Sequence, residues 1–143
     1  MTDVEFHFNA PDKMAYACRL LRKAAAKGSR VAVTADPQFL GELDRTLWTF
    51  DPVAFVPHCV HDAPPQVREA SPVVLCDSAR SAPHAQVLIN FGGEVPDGFE
   101  RFERVIEVVS LDEDDKVGAR KRYRHYADRG YAIARRDLVL KEA

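Results

Sequence analysis

Apolar positions along the chain fall into two rhythms that take turns. Val4-Glu5-Phe6-His7-Phe8 alternates apolar and polar and predicts a half-buried strand. Met14, Ala17, Cys18, Leu21 and Ala25 then recur three and four apart, the stripe of a helix that opens at Pro11-Asp12 and closes at Lys27-Gly28. Val31-Ala32-Val33-Thr34 is a short apolar strand. Asp36-Pro37 starts the next helix, with Asp as N-cap and Pro in the first turn. Phe39, Leu40, Leu43 and Leu47 give that helix its face, and Trp48 and Phe50 stand at its end. Ala54 to His58 predicts a short edge strand or extended segment, because Pro57 cannot donate to a ladder. His61 to Pro72 holds three prolines and predicts a loop.

Val73 to Cys76 and Val87 to Phe91 are continuous apolar runs, the pattern of strands covered on both faces. Gly92-Gly93 breaks the chain. Gly98 to Arg104 predicts a short helix carrying Phe99 and Phe102, and Val105 to Val109 another strand. A long helix follows over about 112–129, capped by Ser110 or Asp112 and ended by Gly130, with Glu113, Asp114 and Asp115 in its first turn and Arg129 in its last, as the helix dipole favours. Residues 135–143 predict a basic tail with one short strand at Asp137 to Leu140. Strands alternating with helices imply an α/β fold with a largely parallel sheet. With no repeat or linker, residues 1–143 are expected to form a single domain.

Composition narrows the classes. At 46% hydrophobic and 29% charged, the chain can build one core without staples and is neither disordered nor fibrous. Its apolar runs are only a few residues long, far below the ~20 of a bilayer span. Asp3, Glu5 and His7 interrupt the first residues, so no secretory leader is expected. Three cysteines without CxxC spacing fit a reducing, cytoplasmic setting better than a disulfide framework.

Charge is unevenly spread. Residues 1–115 hold 11 Lys and Arg against 19 Asp and Glu, whereas residues 116–143 hold 9 against 3. An acidic body therefore carries a basic C-terminal segment. Within it, Lys116, Arg120, Tyr123 and Arg124 lie three and four apart and share one helix face, while Lys121 and Arg122 point elsewhere. Such a face suits carboxylates or phosphates, since arginine forks pair with both. A plainly solvated basic face is the simplest reading, an acidic ligand the next, and direct nucleic-acid binding through phosphate contacts and stacking a third.

Other candidate chemistry is weaker. The turn after the first strand reads Asn9-Ala10-Pro11-Asp12, not GxGxxG, and GxxxxGK[ST] is absent. Glu94 follows Gly92-Gly93 and disfavours phosphate there. His58-Cys59-Val60-His61-Asp62 lacks a second pair at metal-ligand spacing, so no metal is expected. Cys76-Asp77-Ser78 follows a strand but has no GxSxG elbow, and a buried structural cysteine is the expectation. Trp48, Phe50, Phe55 and Pro57 read first as core and second as an apolar docking patch.

Two segments point to a family. Leu47-Trp48 followed by Phe55-Val56-Pro57-His58 resembles the LW…FVPH signature of the chi subunit of bacterial DNA polymerase III holoenzyme. Ala119 to Tyr126, ending near Gly130-Tyr131, resembles that family's AR-x-RY-x-x-Y helix. Phe6 and Phe8, Lys27-Gly28 and Val87 to Asn90 fall in matching order, so the resemblance spans nearly the whole chain. It implies a Rossmann-like three-layer fold with no nucleotide site, no catalysis and no cofactor. It implies two protein partners, the psi subunit of the clamp loader and the acidic C-terminal tail of single-stranded DNA-binding protein, with DNA met mostly indirectly and no membrane. The tail-binding arginine corresponds to Arg120 and its partner tyrosine to Tyr123, with Lys116 and Arg124 beside them and Val109 lining the pocket for the tail's terminal Phe. The psi-facing patch corresponds to Trp48, Phe55 and Pro57.

Overall fold

The computed structural model describes residues 2–49 and 56–138. Seven strands form one sheet in which every pairing is parallel: β1 (Asp3–Ala10), β2 (Val31–Thr34), β3 (His58–Val60), β4 (Val73–Cys76), β5 (Val87–Asn90), β6 (Arg104–Ser110) and β7 (Ile133–Asp137). Their spatial order is β3-β4-β2-β5-β6-β1-β7, so β3 and β7 are the edges. Four α-helices connect them: α1 (Lys13–Ala26), α2 (Pro37–Thr49), α3 (Pro65–Ala70) and α4 (Glu113–Asp128). The Rossmann-like three-layer arrangement expected from the sequence is present.

Alternation along the strands sorts the core into two layers. Val31, Val33, Val73, Leu75, Ile106 and Val108 face the stripes of α1 and α2, including Leu21, Leu43 and Leu47. Ala32, Val74, Leu88, Val105 and Val109 face the opposite way, onto Ala119 and Tyr126 of α4 and onto Phe99 and Phe102. The cap residues act as the sequence suggests. Asp12, Asp36 and Asp112 each accept a backbone N–H from the first turn of α1, α2 and α4, at 3.0, 3.0 and 2.8 Å. Gly28 and Gly130 close α1 and α4 in the left-handed region, with φ of 77° and 80°.

Several expectations need correction. β1 is covered on both faces, not half-buried: Phe6 and His7 are both buried, because helices lie on either side of it. The expected loop between His61 and Pro72 contains α3; its prolines stand at positions 64 and 65, the start of a helix, where a missing N–H costs nothing. The short helix at 98–104 is a single 3-10 turn, Phe99–Arg101, after which β6 begins. The last strand lies at Ile133–Asp137, ahead of the position expected. Its polar sequence hid it, and an edge strand tolerates that polarity. At the segment before Pro57, the strand runs from His58 to Val60, and residues 54 and 55 lie outside the described residues.

Candidate functional site

Helix α4 presents an inward face and a groove-facing one, and the two do different things. Its inward face carries Ala119, Arg122 and Tyr126, all buried. Arg122 does not point to solvent. It is 2% exposed and its Nε donates to Glu107 Oε1 at 2.9 Å, while its Nη1 donates to the Gly93 carbonyl at 3.1 Å. Tyr126 donates its hydroxyl to Glu107 Oε2 at 2.7 Å, and Asn90 Nδ2 donates to Glu107 Oε1 at 2.9 Å. Asn90 Oδ1 in turn accepts from Thr34 Oγ1 and from the Gly92 N–H, both at 3.0 Å. Burial pushes the Glu107 carboxyl up, and the Arg122 guanidinium and the two other donors pull against it. Burial and the adjacent Glu107 also push the Tyr126 hydroxyl up, so it stays a donor.

This network closes the Gly92-Gly93 turn onto protein groups. The Gly92 N–H is held by Asn90, and the Gly93 carbonyl by Arg122. A Cβ on Gly92 would meet Asn90 Oδ1 at 3.2 Å and the Ala35 Cα at 3.4 Å, so the backbone approach there depends on glycine.

The second face of α4 looks across the sheet toward β7 and forms one wall of a groove of about 700 Å³. Lys116, Arg120, Tyr123 and Arg124, all singled out from the sequence, line it together, and Val109 at the end of β6 joins them. Arg120 and Arg124 are exposed, and Tyr123 is half-buried with its ring 5.3 Å from that of Phe6 at 56°. Lys116 is half-buried and lies 3.7 Å from Glu113. The floor comes from β1, through Phe6, Phe8 and Asn9, and the far wall from β7, through Arg135. Phe6, Phe8, Asn9 and Arg135 lie on strands, so helical spacing along α4 does not predict them. Phe6 and Phe8 carried a usable signal, since alternate strand residues share a face. Arg135 carried none, because its strand was assigned too late in the chain.

Cations on two walls above an aromatic floor can hold an anion and an apolar group side by side. The arginines supply forked donors for a carboxylate or phosphate. Phe6, Phe8 and Val109 offer surface that an aromatic or aliphatic side chain covers well.

The second cluster of candidates lies at the opposite edge of the sheet. Trp48 is 58% exposed, which overturns its reading as core. It stands at the end of α2, past the buried stripe ending at Leu47, with its ring 5.1 Å from that of His58. His58 is fixed beneath it: Nδ1 lies 2.8 Å from the Val56 carbonyl and Nε2 3.0 Å from Asp44 Oδ1. Pro57 is exposed and borders, with His58 and the α3 residues Gln66, Val67 and Ala70, a depression of about 380 Å³. Phe55 lies outside the described residues.

Cys76 is buried, and burial pushes its thiol up to about 12, the reverse of what a nucleophile needs. Cys18 is likewise buried and pushed up to about 11.

Comparison with known proteins bears on the whole chain. The family model for the DNA polymerase III chi subunit, HolC, matches residues 1–134. The DNA polymerase III subunit chi of Pseudomonas aeruginosa is 32% identical over 138 residues, covering 93% of this chain and 94% of that protein. The DNA polymerase III subunit chi of Haemophilus influenzae is 28% identical over 120 residues, covering 82% of each.

Proposed function

The chain belongs to the chi subunit family of DNA polymerase III, a replication accessory subunit, and from that premise we propose that it acts without catalysis as a link between two protein partners at the replication fork. The groove beside α4 takes the acidic C-terminal tail of single-stranded DNA-binding protein. The single observation that carries this is the convergence of Arg120, Tyr123, Lys116, Arg124 and Val109 on one groove, over Phe6 and Phe8. In this reading Arg120 holds the tail's terminal carboxylate, the apolar floor takes its terminal Phe, and the remaining cations meet its aspartates. The Trp48 and Pro57 surface takes the psi subunit or another clamp-loader protein; the exposure of Trp48 supports it. Such a link is multivalent, since many tails on one coated strand raise the effective concentration of a weak contact.

The test is a titration of the full chain with an acidic peptide ending in Asp-Ile-Pro-Phe, beside the same peptide amidated at its terminus. Arg120→Ala is expected to cost about 2–5 kcal/mol of binding free energy, because the desolvated carboxylate loses its fork. Arg120 is exposed, so the same change should leave stability within ~0.5 kcal/mol. Binding indifferent to both amidation and Arg120→Ala sinks the tail reading. Affinity for naked single strands that rises with length and falls steeply with salt would favour direct nucleic-acid binding instead.

A further inference from the structure

The groove has unlike ends, and this gives it a direction. Helix α4 leaves the carboxyl end of β6 and returns to the amino end of β7, so it runs opposite to the strands beneath it. At its first turn stand Asp112, Glu113, Asp114 and Asp115. Asp137 ends β7 on the same side, with its Oδ1 accepting from Asn9 Nδ2 at 3.1 Å. Lys116 belongs to this acidic end, with its ammonium 3.7 Å from Glu113. The positive pole of the α4 dipole is there too, but the helix's own carboxylates already meet it.

Two turns further on, the balance reverses. Arg124 stands exposed on α4, and Arg135 reaches in from the opposite wall. Arg135 pairs in register with Phe6, whose ring touches Tyr123, so Arg135 is level with the second half of the helix. Arg120 lies between the two ends, one turn from each of Lys116 and Arg124. Four residues of helix advance about 6 Å. An extended peptide covers roughly that distance in two residues, at ~3.3 Å each. Successive turns of α4 therefore match alternate residues of an extended ligand.

Resting on the tail-binding function proposed above, we propose that the groove accepts an acidic peptide in one direction only. The ligand's terminal carboxylate sits at Arg120 with its last side chain over Phe6, Phe8 and Val109. Its acidic stretch leaves between Arg124 and Arg135, away from the carboxylates at the start of α4. Arg135 is then a specificity-determining residue for this site, and Lys116 contributes less than its place on the helix face suggests.

The experiment uses the full chain and a fluorescent acidic peptide ending in Asp-Ile-Pro-Phe with a free carboxylate, followed by anisotropy. Arg120→Ala serves as the reference, and thermal melting checks that each variant is folded. Arg124→Glu and Arg135→Glu are each expected to weaken binding about fivefold or more, and Lys116→Glu less than twofold. A peptide with one upstream aspartate changed to lysine is expected to bind Arg135→Glu better than it binds the unmodified protein. If the peptide binds, Arg120→Ala removes that binding, and Lys116→Glu weakens it more than Arg135→Glu does, the direction is wrong while the tail-binding function stands. If the unmodified protein does not bind the peptide at all, both fall together.

Discussion

The two edges of the sheet expose unlike surfaces on unlike foundations. At the β7 edge, the outward cations of α4 stand on a helix whose underside is fastened by Glu107, Arg122, Tyr126 and Asn90, all buried. At the β3 edge, Trp48 packs against the ring of His58, which Asp44 and the Val56 carbonyl hold in place. The first surface is charged and carries its arginines at helical spacing, and the buried network beneath fixes the helix that presents them. The second is apolar, and apolar contact is non-directional. Arg120 and Arg122, two residues apart on α4, divide these duties: one meets the outside, and the other holds the helix that presents it.

The largest break in this contrast comes from Glu107→Leu. It leaves the Arg122 guanidinium buried without its carboxylate and should cost about 3–5 kcal/mol in urea unfolding. Pairing it with Arg122→Leu should recover much of that loss, because two apolar groups replace two charges together.

A smaller effect comes from the clamp on the first turn of α4. Asp115 Oδ2 accepts from the Ser110 N–H at 2.8 Å and from Lys13 Nζ at 3.0 Å. Burial pushes its carboxyl up, but the Ser110 N–H and the Lys13 ammonium outweigh burial and hold it below the ordinary value of 3.8. The folded state thus releases this proton more readily than the unfolded chain. The resulting stability is fully present above the ordinary value and is lost as pH falls through the lowered one. Asp115→Asn should cost about 1.5 kcal/mol at neutral pH and flatten the acid limb of a stability–pH curve. An unchanged acid limb would remove the clamp from the account.

The smallest effect is expected at the other edge. Trp48→Ala should cost less than about 1 kcal/mol in thermal melting, where a core tryptophan would cost ~3–5. A core-sized loss would mean that Trp48 supports the fold after all.

Much of the groove was legible because helical spacing is a strong signal. Lys116, Arg120, Tyr123 and Arg124 could be put on one face without knowing what the helix packs against. The same reasoning sent Arg122 away from that face, correctly, but could not say that it entered the core. That needed Glu107, one acid inside the apolar run Val105-Ile106-Glu107-Val108-Val109. A lone charge in a buried strand requires a partner, and this was the unread signal. Arg135 was invisible for another reason: an edge strand reading Ala-Arg-Arg-Asp has no apolar alternation. Helix α3 was hidden by its prolines, which punctuate loops and helix starts alike. Side-chain type alone suggests burial for Trp48, whereas the family resemblance puts it on a surface, and its position past the end of the Leu40-Leu43-Leu47 stripe accounts for its exposure.

Strand order has a consequence for the timing of synthesis. β1, made first, has only β6 and β7 for neighbours, and its register joins Asp3 to Arg104 and Val4 to Ile133. A ribosome adding ~5–20 residues per second must therefore deliver roughly a hundred more residues before the opening strand can pair. Until then a strand bearing Phe6 and Phe8 waits with both edges open. The aromatic floor of the groove is translated roughly a hundred residues or more before its far wall. A chain lacking β7 has no far wall to this groove, so the groove is complete only after Arg135 has been made and β7 has paired with β1.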